Sequence, residues 1–507
     1  MRAPQGFRGA FRTDDPARAL YAEGAGIFRI IPAAVAVPAD RDDLVALVRW
    51  ASEMGTALVP RGAGSGMPGG NVGPGVVVDL TRGFRSSPVI DAEARTARAG
   101  AGITYRELND AATTHGLRLP PDPSSGNFCT IGGMVATNAA GARTVKYGAM
   151  RAWTRGLGFV CADGEVGTTK TGAPGHRGTE VERRLESEVA PWLRQHQLTL
   201  ENAGPKTRKN SAGYLLANQP DNDWVKHLLI GSEGTLAFIT DVEVALAPQP
   251  PSLSTLLITL ASLDDVGPAV RALAPLAPSA LELLDKTYLD FARATGSRVP
   301  SGTEALLLVE FEGDARDGEH AVHGIAATTE VANDPAAVAR LWELRHLASP
   351  ILAGLPDHMR SFQVVEDGCV PLGRLGEYIT ALRRIAADCG LQIVIFGHAG
   401  DGNLHANVLA DTSAADLATR LERCLREVSA TQIALGGTTA GEHGDGRLRA
   451  PFLEALYGAT YLEGCRRIKA AFDPKGILNP GVKLTADGAR LTAEMHKVGA
   501  VRRQPSA

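Results

Sequence analysis

No two of the six cysteines of this 507-residue chain lie close together; they are Cys129, Cys161, Cys369, Cys389, Cys424 and Cys465. With no CxxC, the chain carries neither a zinc ribbon nor a ferredoxin-type iron–sulfur signature. Scattered single thiols suit a reducing compartment, so a cytoplasmic setting is expected. Long apolar runs are missing as well. The most apolar stretches, such as IIPAAVAVPA, are broken by proline, and no membrane span is expected; peripheral contact with the inner membrane is compatible with this. The first residues, MRAPQGFRGAFRTDDPARAL, lack the apolar h-region of a secretory signal. Charge of one sign is also scarce. The formal net charge is -4, and basic residues form only short clusters such as Lys206–Lys209, which argues against nucleic acid as a partner.

What is present is an ordinary globular composition, 44% hydrophobic and 21% charged, long enough for two or three domains. Gly 57 and Pro 30 imply many tight turns. The first half alternates helical and strand-like segments. DRDDLVALVRWASEMG reads as a capped helix, TALVP and GVVVDLTR as strands, YRELNDAATTHG as a helix, and LLIGSEGTLAFITDVEVAL as strand, turn, strand. The proline-rich APQPPSLS marks a boundary. Beyond it LSTLLITL and ALLLVEFEG suggest an α+β domain of two strand–helix units, and YLEGCRRIKAAFDPKGILNPG a closing helix.

Residues 393–409, IVIFGHAGDGNLHANVL, place a histidine on each side of a polar, glycine-rich centre. Asp401-Gly402 is a dipeptide favoured in two-residue type I′ turns. Such a turn would pair Gly400 with Asn403, Ala399 with Leu404 and His398 with His405, with Asn407 on the same face. Two imidazoles and a carboxamide on one face suit a divalent metal. A hairpin whose histidines are merely hydrogen-bonded fits the spacing too.

Three glycine-rich stretches complete the pattern. Arg61-Gly62-Ala63-Gly64-Ser65-Gly66 follows a predicted strand and exposes successive backbone N–H groups, as an anion such as a pyrophosphate requires. It has neither the Walker nor the dinucleotide-fold spacing, and a structural glycine loop fits as well. Residues 120–151, PPDPSSGNFCTIGGMVATNAAGARTVKYGAMR, imply backbone packed against something flat or extended, and GSEGTL at 231–236 is another tight turn.

Together PRGAGSGMPGG, TIGGMVATNAAG and GSEGTLAFITDVEV resemble the FAD-binding domain of the vanillyl-alcohol oxidase/p-cresol methylhydroxylase (PCMH) superfamily. FGHAGDGNLHANV, GGTTAGEHGDGR and GILNPGVKL are similar to signature segments of the FAD-linked oxidase C-terminal domain. Within the superfamily the chain looks like the D-2-hydroxyacid dehydrogenases: D-lactate dehydrogenase, the glycolate oxidase flavoprotein subunit and D-2-hydroxyglutarate dehydrogenase. The fold this implies is α+β. It has a two-part PCMH-type FAD-binding domain at 1–250, a ferredoxin-like α+β cap or substrate domain at 251–450, a helical segment at 451–485 returning to the FAD domain, and a tail at 486–507.

The resemblance also implies roles. Arg61, Gly62, Ala63, Gly64 and Ser65 would cradle the FAD pyrophosphate. Pro123, Ser124, Ser125, Gly132, Gly133, Thr137, Asn138, Gly141, Gly234 and Ile239 would line the FAD channel, with Asn479 near the isoalloxazine. The flavin is expected to be non-covalent. His398, His405 and Glu442 match metal ligands; zinc is expected, with iron and manganese as alternatives. His443 matches the base. Arg345 matches the substrate-carboxylate arginine, with Ser349, Arg360 and Asn407 as further substrate contacts; Arg360 stands where a distal carboxylate would be held, and a surface arginine fits that position equally well. The activity implied is oxidation of a D-2-hydroxy acid, D-lactate or D-2-hydroxyglutarate leading and glycolate behind, by hydride transfer to flavin N5. Longer relatives carry a cysteine-rich iron–sulfur half that this chain lacks. Electrons would therefore leave to a quinone, a cytochrome, an electron-transfer flavoprotein or a separate iron–sulfur subunit. A homodimer is expected. The competing readings are an oxygen-using flavin oxidase of another alcohol, a metallohydrolase, and a non-catalytic flavoprotein subunit.

Overall fold

Two sheets organise the first half of the chain. The computed structural model describes residues 1–169, 178–221, 223–297, 299–347, 352, 354–356, 358–484 and 495. A four-stranded sheet has the order Ala10–Arg12, Ala34–Val37, Val76–Asp79, Leu58–Arg61; the last three strands are parallel and the first is antiparallel to its neighbour. Parallel strands need a crossover, which helix Arg41–Met54 supplies. The Asp40 side chain caps it by accepting from the Asp43 N–H. Leu44, Leu47, Val48 and Ala51 form its buried stripe, and left-handed Gly55 ends it. The second sheet is antiparallel, in the order Val89–Asp91, Thr96–Gly100, Phe238–Ala245, Thr154–Val160, Val166–Thr168.

One sequence expectation fails here. Leu228 and Leu229 of LLIGSEGTLAFITDVEVAL close helix Trp224–Leu229, and only Phe238–Ala245 is a strand. A short apolar run fits a buried helix turn as well as a strand, and the Asp223 side chain, accepting from the Lys226 N–H, nucleates the helix.

Strands Ser254–Leu260, Ala280–Asp285, Ala305–Phe311 and Thr328–Ala332 start the second half. Numbered in chain order they lie side by side as 4-1-3-2, all antiparallel, with helices Val266–Leu273 and Arg316–Ala321 in the first and last connections. That is the ferredoxin-like arrangement. Strands Gln392–His398, Asn403–Asp411 and Met359–Phe362 extend it beyond Ala280–Asp285. Both faces are covered, which is why Ser254–Leu260 is buried along its whole length instead of alternating. Leu256, Ile258 and Leu260 pack with helices Val266–Leu273, Leu375–Asp388 and Leu417–Ala434. Leu257, Leu284, Leu306 and Phe396 pack on the other face with helices Lys286–Ala294 and Pro335–His346.

The chain then returns. Helix Ala459–Phe472 buries Tyr461, Cys465, Ile468 and Phe472 in the core of the five-stranded sheet. Asp473 turns the chain by accepting from the N–H groups of Ile477 and Leu478, which lays Leu478 beside Leu58. Of the tail at 486–507 only Met495 is described, bridging Phe28; the rest lies outside the described residues.

Candidate active site

The His398/His405 hairpin forms, with a different turn. Residues 399–402 make the loop, and His398 pairs with Asn403, Gly397 with Leu404 and Phe396 with His405. The two-residue turn needs positive φ at both central positions. Gly402 has it (φ 76) but Asp401 does not, and the Asp401 carboxylate is buried beside Lys209. The pairing is displaced by two residues, an even number, so the side chains keep their face. His398, His405 and Asn407 therefore still point the same way.

The two imidazoles converge on Glu442. Its Oε1 lies 3.0 Å from His398 Nε2, 3.2 Å from His405 Nε2 and 3.5 Å from His443 Nε2, and the first two imidazole nitrogens are 3.3 Å apart. The far side of each ring is held. His398 Nδ1 donates to Glu282 Oε1 at 2.6 Å, His405 Nδ1 to the Glu366 carbonyl at 2.8 Å, and His443 Nδ1 to Glu366 Oε2 at 2.5 Å. These acceptors each take an Nδ1 proton, so the Nε2 atoms face the centre. Donors about 3.3 Å apart are what ligands at ~2.1 Å around a tetrahedral ion make.

Electrostatics agree with that donor set. Burial alone would lower His398, but Glu282 and Glu442 outweigh it and hold the ring up at about 9. The same carboxylates that favour a proton there favour a divalent cation in its place. His405 is lowered, chiefly by burial. Glu442 is lowered well below the carboxylate range: burial opposes this, but Lys209 and His398 prevail. The residues fit a divalent metal, which His398, His405 and Glu442 would hold, with His443 beside them.

Two buried acids shape the loop that carries Glu442 and His443. Asp367 accepts from the N–H groups of Glu442 and His443 and from the Asn403 amide. Glu233 accepts from the N–H groups of Asp445 and Gly446. Arg449, fully buried, pairs with Glu366 and donates to the Gly444 carbonyl.

A cavity of about 860 Å³ runs from this cluster along the first half of the chain, near the upper end of the range for ligand sites. Arg61, Gly62, Ala63, Gly64 and Ser65 line its far end, Pro123 to Ser125, Gly132, Gly133 and Thr137 its wall, and Gly234 and Ile239 the other side. The wall has no room for side chains. A Cβ on Gly62 would sit 2.4 Å from Thr130 Oγ1, and one on Gly132 2.6 Å from the Ala101 Cβ. Such a cradle of small residues, with a glycine-rich loop in its lining, fits FAD. The Arg61 side chain faces away, donating to the Glu23 carbonyl at 2.8 Å, so only its backbone is offered to the cavity.

The remaining expected residues divide. Arg345 lines the cavity, its Nε donating to Glu282 Oε2 at 2.7 Å and its guanidinium over Phe396. Asn407 lines it too. Arg360 does not. It is exposed and pairs with Ala410, on the sheet face opposite Asn407, whereas Ser361 shares the Asn407 face. Asn138, Gly141 and Asn479 stand behind the wall: Asn138 ends helix Ile131–Thr137 in the left-handed region, Gly141 abuts the Asp122 backbone, and the Asn479 amide pins the carbonyls of Gly70 and Glu233. Ser349 lies outside the described residues.

Glu282, Glu366, Asp367, Glu233 and Lys209 were not singled out from sequence. The available signal was an acid inside an apolar run, as in the strand ALELLD and the turn-forming VVEDGCV, or a lysine with no acidic neighbour in sequence.

Residues 32–170 match the FAD binding domain family, and residues 249–482 match the family described as FAD linked oxidases, C-terminal domain. The chain is 32% identical to a D-lactate dehydrogenase of Archaeoglobus fulgidus, over 93% of this chain and 95% of that one. It is 32% identical to the glycolate oxidase subunit GlcD of Bacillus subtilis, over 91% of each. A D-2-hydroxyglutarate dehydrogenase of Escherichia coli is 28% identical over 98% of this chain but only 52% of its own. In fold the chain resembles 4-ethylphenol oxidase from Gulosibacter chungangensis, with a TM-score of 0.67 at 15% identity over 95% of this chain and 99% of that one. The chain belongs to the FAD-linked oxidases and is an FAD-dependent oxidoreductase of α+β fold with a PCMH-type FAD-binding domain.

Proposed function

We propose that this protein is a metal-assisted D-2-hydroxyacid dehydrogenase that converts a D-2-hydroxy acid to the 2-oxo acid. The observation that carries the reading is the convergence of three imidazole Nε2 atoms and one Glu442 oxygen at the end of the flavin-sized cavity, with Arg345 alongside. Relatives named D-lactate dehydrogenase and D-2-hydroxyglutarate dehydrogenase support it. When bound, FAD supplies a two-electron acceptor for the C2 hydride and a divalent cation supplies Lewis acidity at the 2-hydroxyl.

The chain's own residues do the rest. Arg345 binds the substrate carboxylate through its terminal nitrogens, since its Nε is committed to Glu282. Glu282 thereby links substrate binding to the His398 ring. Nε2 of His443 takes the hydroxyl proton while Glu366 holds its Nδ1. Phe396 and Leu352 line the pocket and give it apolar surface. With Arg360 turned away, Arg345 is the cation the described lining offers at this end. One carboxylate per substrate follows, and D-lactate leads over D-2-hydroxyglutarate. Zinc is the proposed ion. Electrons pass on to a separate acceptor in the cytoplasm. No helix among the described residues is long and apolar enough to cross a membrane.

The test is 2-oxo acid production by purified protein with an artificial electron acceptor, across D- and L-lactate, glycolate and D-2-hydroxyglutarate. D-lactate turnover well above L-lactate is expected. Turnover of L-lactate alone, or of none of the four, overturns the reading.

A further inference from the structure

The two oxygens of Glu442 meet opposite partners. Oε1 faces the imidazoles, and Oε2 accepts from Lys209 Nζ at 2.9 Å. Lys209 is 1% exposed and comes from the FAD-binding half of the chain. Its ammonium also reaches the Gly141 carbonyl at 3.1 Å, Asn403 Oδ1 at 3.4 Å and Asp401 Oδ2 at 3.5 Å. An ammonium has three N–H donors, so these partners occupy it fully. The backbone around it is fixed: the Lys206 N–H donates to the Gly436 carbonyl and the Ser211 N–H to the Ala440 carbonyl. Lys209 is thus held among these partners and out of contact with solvent.

A carboxylate with both oxygens free can take a metal with one or both. Glu442 has one oxygen engaged by a cation, in a charge-assisted bond roughly twice as strong as a neutral one. Two Nε2 atoms and one oxygen then complete the protein's contribution, and the remaining positions stay open. A 2-hydroxy acid brings two oxygens, a hydroxyl and a carboxylate, and needs that space.

Resting on the metal reading above, we propose that Lys209 is a positioning residue that restricts Glu442 to a single ligating oxygen and so reserves a coordination position for the substrate. The role also ties the two halves together. Lys209 grips the metal loop on one side and, through the Gly141 carbonyl, the segment behind the flavin wall on the other.

The test is the crystal structure of the zinc-loaded protein, with Lys209→Met beside it. In the wild type, Nζ is expected within hydrogen-bond distance of Oε2, with only Oε1 at about 2.0–2.2 Å from zinc. In Lys209→Met both oxygens are expected to close on the ion. Zinc content should be retained, and KM for the hydroxy acid should rise about 10–100-fold, with kcat changing less. A zinc-loaded wild type with both Glu442 oxygens on the metal overturns the proposal, and it does so even where the variant fails to fold. A Lys209→Met enzyme with KM within twofold of wild type overturns it too. A wild type that binds no zinc at this cluster removes the metal reading itself and the proposal with it.

Discussion

Replacing Glu282 with glutamine probes the junction between the proposed metal cluster and Arg345, the proposed substrate cation. Glu282 is wholly buried on strand Ala280–Asp285, and its two oxygens are divided: Oε1 takes His398 Nδ1–H at 2.6 Å and Oε2 takes Arg345 Nε–H at 2.7 Å. Burial alone would raise this carboxyl, but His398 and Arg345 hold it below the usual range. Glutamine keeps the shape and one acceptor. Its NH₂ must then face a second donor, either the imidazole or the guanidinium. If the acceptor stays on His398, Arg345 loses its partner at a largely buried position. Removing one member of a buried pair costs about 3–5 kcal/mol, and Arg345 can recover part of this by turning into the cavity. If the acceptor goes to Arg345, His398 loses the group that fixes its proton on Nδ1, and metal affinity falls about 10–100-fold. Either way the carboxylate-binding guanidinium and the metal cease to be held together, and a misplacement of about 1 Å can cost ~100-fold in rate. Chelator competition measures metal affinity, and anaerobic stopped-flow absorbance measures substrate-dependent flavin reduction. The expected result is a loss of at least tenfold in one and in kcat/KM, with flavin content unchanged because Glu282 does not line the cavity. Metal affinity and kcat/KM both within twofold of wild type would refute the reasoning.

Three further outcomes are expected. Gly62→Ala places a Cβ 2.4 Å from Thr130 Oγ1, the atom that caps helix Ile131–Thr137 by accepting from the Gly133 N–H. The protein should lose about 1 kcal/mol of cap stability and most of its flavin, read as the ratio of visible to protein absorbance. His443→Ala should lower the rate of flavin reduction by about 10²–10⁴-fold while flavin and metal contents hold, since the glycine-rich lining and the His398–His405–Glu442 set stay in place. Asp285, which caps helix Lys286–Ala294, is raised by burial from 3.8 to about 6. A carboxyl raised on folding contributes stability that is complete below about pH 4 and lost as pH climbs through 6, here about 3 kcal/mol. Asp285→Asn keeps the cap and has nothing to ionise. Its melting temperature relative to wild type should rise between pH 4.5 and pH 7.5, and a constant difference would contradict the assignment.

The part of the site legible in the sequence is the part whose geometry is local. His398 and His405 lie on adjacent strands joined by a short loop, so their common face followed from strand parity even though the turn was misjudged; the displacement was even. Helix Arg41–Met54 was legible because its cap, stripe and closing glycine all lie within sixteen residues. Of the two readings open for Arg360, the surface one holds, because strand faces alternate at every residue: Ser361, one place on, shares the Asn407 face. Glu282, Asp367 and Lys209 were illegible for a different reason. Their partners lie 116, 75 and 233 residues away, and a buried charge shows its purpose only beside the group it compensates. LLIG was taken for a strand because four apolar residues carry no period, and the Asp223 cap settled it as helix.

The central claim, that one cavity brings a flavin, a metal and a D-2-hydroxy acid together, meets its most direct test in anaerobic bleaching of the protein's flavin absorbance by D-lactate, before and after chelation. The account predicts bleaching by D-lactate and not L-lactate, abolished by the chelator and restored by added zinc. Bleaching that the chelator leaves unchanged would contradict it and return His398, His405 and Glu442 to a structural hydrogen-bond cluster.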